Sequence, residues 1–216
     1  MDIAKLEKQI REGKGTFSIL HKLSEASGLD LADSIIKKLN NDYPGGEISA
    51  EDARAILHPS LIRNHLFISE MTAAVINTMY QKAKIGIKAI SPEYNIAREN
   101  DLVTEVVDGT YTREGFAVFP MKVKDSSIRE NAFASQNVGL ETRVTRTYDG
   151  VGIHDGKDTC EWCLSRCGDN MTLSEAYAKG AFERHPGCGC ELLYTTYKGT
   201  QRQTDWTTNT WTRIRR

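Results

Sequence analysis

The sequence predicts a mainly α-helical N-terminal region joined to a small α+β C-terminal module built on a metal knuckle. Three observations lead there. Apolar residues recur at helical spacing through most of the first 107 residues. Beyond Gly150 the composition changes to Gly, Cys, Trp and Thr. All five cysteines fall between Cys160 and Cys190, and residues 1–159 contain none. The expected organisation is a helical region over 1–107, a connecting strand, loop and helix over 108–139, and a knuckle module with a basic tail over 140–216.

Ile3, Leu6 and Ile10 form a first apolar stripe, punctuated by Gly13 and Gly15. Phe17, Leu20 and Leu23 continue the pattern, and so, past Gly28, do Leu31, Ile35 and Leu39. NNDYPGG, residues 40–46, reads as a loop. Ser49 followed by Asp52 resembles a capping box with Asp for the usual Glu, so a helix is expected to start near Ala50. Pro59 is expected to interrupt it, with a longer helix over about 60–84. In that stretch Leu61, Ile68, Val75 and Met79 mark one face. Ile62, Leu66, Ala73, Ile76 and Tyr80 widen it enough to imply burial from two sides.

Pro92 and the polar SPEYN segment end this unit, and a weaker helix follows over about 96–107 before the Asp108-Gly109 turn. GFAVFPMKV, residues 115–123, is apolar enough for a strand, which Pro120 demotes to an edge or a loop. Helix is expected again over 125–139, with Ser126 or Ser127 as its cap. RVTRTY, residues 143–148, alternates and is rich in β-branched residues, which predicts a short strand.

Size and charge narrow the function classes. A chain of 216 residues and 24.2 kDa makes one large domain or two small ones. With 39% hydrophobic and 26% charged residues and a mean hydropathy of -0.46, it reads as an ordinary soluble globular protein. Lys and Arg number 28 against 29 Asp and Glu, so the net charge of -1 carries no sign of a nucleic-acid or membrane binder. The N-terminal MDIAKLEKQIREGKG lacks the apolar run of a signal peptide. No uncharged apolar stretch approaches the ~18 residues of a membrane span. No membrane association and no small-molecule substrate are expected. An odd number of cysteines without a secretion signal makes a poor disulfide framework, and a reduced compartment with a local metal or thiol site explains the clustering better.

The chemistry concentrates in Cys160-Glu161-Trp162-Cys163, Cys167, and Arg184-His185-Pro186-Gly187-Cys188-Gly189-Cys190. CxxC spacing lets two thiolates turn inward and grip one ion, and the second knuckle adds an imidazole and one or two more thiolates. The 21 residues between Cys163 and His185 leave room for a short helix over 173–179 that closes the loop. The expected product is a four-coordinate structural zinc site, hence a zinc-knuckle module. Cys188 and Cys190 are two apart, so in an extended chain they face opposite ways unless the backbone turns there. The preferred ligands are Cys160, Cys163, His185 and Cys190, with Cys188 as the replacement for Cys190 and Cys167 the odd one out. Buried free thiols and a redox CxxC are the competing readings. The confinement of every cysteine to 31 residues speaks against the first, and the lack of a visible βαβ unit against the second.

The pattern Thr159-Cys160-Glu161-Trp162-Cys163, Gly168, then Arg184-His185-Pro186-Gly187-Cys188-Gly189-Cys190 resembles the C-terminal module of bacteriophage minor head proteins, the family similar to the Mu F head-morphogenesis proteins. The likeness extends to Ile128-Arg129-Glu130-Asn131-Ala132 and to KGTQRQTDW, residues 198–206, and covers roughly 125–211. AKIGIKAISPEYN, residues 83–95, resembles a family phrase less specifically. Gly189 stands where the family often has Arg. The resemblance implies a low-copy virion protein at the portal vertex or capsid interior, made in the host cytoplasm, that assists head assembly with portal and capsid proteins as partners. It implies no cofactor beyond the metal, and some relatives contact packaged double-stranded DNA.

Two other readings rest on residues. Lys198, Arg202, Arg213, Arg215 and Arg216 against Asp205 give the tail a local charge of +4 and flank Trp206 and Trp211, a composition that suits nucleic-acid contact. The plainer and preferred reading is a solvated tail with one or two Trp docked on the module. His154-Asp155 would supply the base of a zinc-braced nuclease or toxin, the enzymatic alternative to a structural protein or a zinc-dependent nucleic-acid binder. His21, His58 and His65 read as ordinary surface or core histidines. Trp162 is expected to pack over the metal loop as a lid.

Overall fold

The structure is a computed structural model and describes residues 2–148 and 160–198. Helix α1 (Ile3–Gln9) passes through a wide turn over 10–14, where Gly13 adopts a left-handed backbone, into α2 (Phe17–Asp42). Helices α3 (Ala50–Lys82), α4 (Ile96–Val107), α5 (Arg113–Ala117) and α6 (Phe119–Asn137) follow. Strand β1 (Leu140–Thr147), α7 (Glu161–Arg166), β2 (Gly168–Thr172), α8 (Leu173–Ala178) and β3 (Glu191–Lys198) complete the described chain. The described chain is thus mainly helical with a small α+β part carrying the cysteines and His185, as the sequence predicts.

Caps set most helix starts. The side chains of Thr16, Ser49, Asn95, Thr112 and Thr172 each accept a backbone N–H in the first turn of the following helix. Ser49 accepts from the Asp52 N–H at 3.1 Å, which begins α3 at Ala50 as expected. Thr172 and Glu175 form a complete capping box on α8.

Four expectations are overturned. Pro59 does not interrupt α3, which runs unbroken from Ala50 to Lys82. Its ring denies the Ala55 carbonyl a helix partner, but Ala55 and Pro59 are both exposed, on the face of α3 where solvent can offset that loss. Residues 115–123 are not a strand. Thr112 caps α5, and Pro120 sits in the first turn of α6, where its missing N–H costs nothing. Ser126 and Ser127 are therefore interior to α6, not caps, and Ser127 donates its hydroxyl to the Val123 carbonyl at 3.1 Å. The loop expected from Asn40 also begins later, after Asp42.

The helices bury their wide stripes on one another. Leu31, Ile35, Leu57, Leu61, Val103, Phe116 and Val123 share one core between α2 and α6. Gly28 makes this possible: a Cβ there would lie 2.0 Å from the Ala117 carbonyl oxygen, so α2 and α5 touch backbone to backbone. A second cluster joins Ile10, Leu20, Leu23, Met71 and Val75.

The three strands form an antiparallel sheet in the order β2-β1-β3, with Val144 opposite both Met171 and Tyr194. The sheet does not stand apart from the helices. Val144, Met171, Leu192 and Tyr194 pack with Ile76 and Tyr80 of α3 and Ile128 and Ala132 of α6. The Tyr80 and Tyr194 hydroxyls are hydrogen-bonded at 2.8 Å, and Tyr80 also meets Ser135 at 2.9 Å, all within this core.

Candidate metal centre

The two knuckles meet beside the sheet. Cys160 precedes α7, its backbone N–H donating to the Tyr148 hydroxyl at 3.1 Å, and Cys163 lies one helical turn later. The second knuckle is a tight turn in which the Cys188 N–H donates to the His185 carbonyl at 3.2 Å. Pro186 and Gly187 are its central residues, and Gly187 takes the left-handed φ of 78° that a type II turn demands. This turn brings His185 and Cys188 round toward the first knuckle.

His185 Nε2 lies 3.3 Å from Cys160 Sγ and 3.1 Å from Cys163 Sγ, and the Cys163 and Cys188 sulfurs are 3.5 Å apart. The five donors fall into two groups of three whose ligand atoms are all within 4.8 Å of one another: Cys160, Cys163 and His185, and Cys163, Cys188 and Cys190. Cys163 belongs to both. These groups could hold a metal ion. Cys188 and Cys190 would face opposite ways only in an extended chain; the chain turns at Gly187, and both sulfurs lie in reach of Cys163. Cys167 packs beside the cluster without joining either group, and all five cysteines are free thiols.

The centre is buried and electrically uneven. Cys163, Cys188 and Cys190 are buried, whereas Cys160 and His185 are half-exposed at its outer edge. Burial, with the neighbouring Cys188 charge, pushes the Cys163 thiol up to about 12. Cys188 is held down to about 4, by a hydrogen bond from Cys190 and by the Arg184 and Arg146 charges, against its burial. Cys190 moves upward because its proton serves that bond. Trp162 meets the His185 ring edge-on at 4.9 Å and carries Arg166 over its face at 3.7 Å, so it covers the imidazole side of the cluster.

Arg146, Arg184 and Asp125, absent from the sequence-derived list of candidate site residues, border the thiols. Arg146 is 1% exposed and Asp125 0%. Arg146 donates to Cys188 Sγ at 3.2 Å and to the carbonyls of Ala181 and Glu183. Arg184 forks onto both oxygens of Asp125 and reaches Cys188 Sγ at 3.5 Å. One signal was in the sequence: Thr142, Val144 and Arg146 alternate onto the buried face of β1, where an arginine needs a partner. Asp125 gives no such signal.

His154 and Asp155 lie outside the described residues, as do Arg202, Trp206, Trp211, Arg213, Arg215 and Arg216. Lys198 is the last residue of β3. His21, His58 and His65 all sit away from the thiols: His58 donates to the buried carboxylate of Glu99 at 2.8 Å, and His65 lies 3.2 Å from the Pro92 carbonyl. No described helix is long and apolar enough to cross a membrane.

Compared with family models, curated proteins and solved structures, the chain matches none.

Proposed function

We propose that this chain is a structural protein of phage or prophage heads, acting near the portal during head assembly, with a zinc ion bracing its C-terminal part. The observation that carries the reading is the convergence of the CxxC and HPGCGC knuckles on one cluster. The resemblance to minor head proteins rests on these same residues.

The donor set suits zinc. Tetrahedral coordination at ordinary bond lengths places sulfurs about 3.8 Å apart and sulfur about 3.6 Å from imidazole nitrogen. The 3.1 to 3.5 Å separations here lie close to those values. Cys160, Cys163 and His185 would hold the ion, with Cys188 or Cys190 as the fourth ligand. When bound, the ion supplies folding energy to residues with little apolar packing of their own. The braced sheet and helices then present a fixed surface to portal or capsid subunits.

The role is tested in bacteria carrying the phage or prophage genome that encodes the chain. An epitope-tagged copy is expected in purified heads at low copy number, and Cys163→Ser is expected to reduce the yield of filled heads. Heads that lack the chain and assemble normally without it would overturn the assignment.

A further inference from the structure

Cationic charge is buried beside the thiols in excess of its carboxylate partners. Lys124, Arg146 and Arg184 are 0%, 1% and 7% exposed, and among the described residues of this region the one fully buried carboxylate is Asp125, with Glu191 half-buried nearby. Asp125 meets Arg184 and lies 3.5 Å from Lys124. The acceptors of Arg146 among the described residues are two backbone carbonyls and the Cys188 sulfur. Burying a guanidinium against neutral acceptors alone is costly, and a sulfur bearing negative charge offsets that cost.

We infer that Arg146 and Arg184 are positioning residues of the metal centre, which hold the Cys188 sulfur as a thiolate ligand and, through Asp125, tie metal occupancy to the packing of α6. This rests on the zinc reading above. A zinc ion with three thiolates and one imidazole carries a net charge of about -1, which answers the cationic surplus.

The grip is two-sided. Arg146 fixes the approach to the knuckle through Ala181 and Glu183, at 2.8 Å from the former. Arg184 fixes its exit through the Cys188 and Cys190 carbonyls at 3.1 and 2.6 Å. Both also reach the Cys188 sulfur. From Arg184 the contacts continue through Asp125 and Lys124 to His21 Nδ1 of α2, 3.2 Å from the lysine nitrogen. Losing the ion would free the Cys188 sulfur from one of the groups that fix it and loosen this chain of contacts into the helical core.

The test uses the full chain and zinc competed against a chromophoric chelator, with cobalt(II) as the spectroscopic probe. Arg146→Gln is expected to weaken zinc binding about 10- to 100-fold and to weaken the cobalt–thiolate charge-transfer band. Arg146→Lys should restore part of both, and Arg143→Gln, on the same strand, should change neither. A second measurement needs no variant: stripping zinc from the wild-type chain is expected to lower the melting temperature of the helical signal. Wild-type zinc affinity in Arg146→Gln, or helices that melt at one temperature with and without zinc, would overturn the inference while leaving the metal site standing. If the wild type takes up neither zinc nor cobalt, the zinc reading itself falls, and this inference with it.

Discussion

Cys163 is the donor that both groups share, and it is buried. Cys167, four residues on, offers its carbonyl to Lys179 at 3.1 Å and belongs to neither group. The two cysteines therefore separate metal binding from mere thiol content. Cys163→Ser is expected to abolish zinc uptake and Cys167→Ser to leave it intact, as measured by elemental analysis of the purified chains. Equal zinc content in both would show that the ion sits elsewhere. Spacing pointed to the CxxC and the histidine before any fold was known, because CxxC and HxxC are local geometries that one tight turn each can build. It could not choose between Cys188 and Cys190. That choice depends on the backbone turn at Gly187 and on two arginines brought in from β1 and from the stretch before His185.

Among the elements, Gly28 shows how a fold can hinge on a missing side chain. Within a helix, glycine costs about 1 kcal/mol relative to alanine. Here its absent Cβ lets α2 and α5 approach until the Ala117 carbonyl fills the space. Gly28→Ala gains helix propensity and loses that approach. The clash involves backbone, which cannot rotate away, so a net loss of about 1 to 3 kcal/mol is expected in a denaturant titration. A stabilised variant would mean that the two helices part without cost. The helix periodicity and the Ser49 cap were readable because caps and stripes act within a few residues. The segment over 115–123 departs from its sequence pattern for a related reason. Its apolar run suits a buried strand or a buried helix equally, and only the long-range core over α5 and α6 decides which. Pro120 then counts for a helix start instead of against a strand.

Over the whole molecule, buried titratable groups set the response to acid. Burial lowers the His65 imidazole below its ordinary value, against the pull of the Pro92 carbonyl. Glu99 and Asp125 are pushed up by burial but end below the usual carboxylate range. Hydrogen bonds from Tyr94 and His58 outweigh burial at Glu99, and the Arg184 and Lys124 charges do so at Asp125. In all three cases the unfolded chain takes up protons first as pH falls, so folding stability must fall too. His65 acts first, from about pH 6.5 downward, and the carboxylates follow below about pH 4.5. Denaturant titrations of wild type and His65→Gln at pH 7 and pH 5 isolate the first step. The variant is expected to lose less stability across that interval, and parallel losses would remove His65 as the cause.

The order of the sheet has a further consequence for how the chain matures. The middle strand, β1, is synthesised before either neighbour, and β3, the last described strand, supplies Tyr194 to a hydroxyl 114 residues upstream. Pairings of such long sequence separation form late and slowly. Until Glu191–Lys198 has emerged from the ribosome, one edge of β1 stays open and Tyr80 lacks that partner, so the nascent protein passes through a stage with bare strand edges that a chaperone or a neighbouring subunit would have to shield.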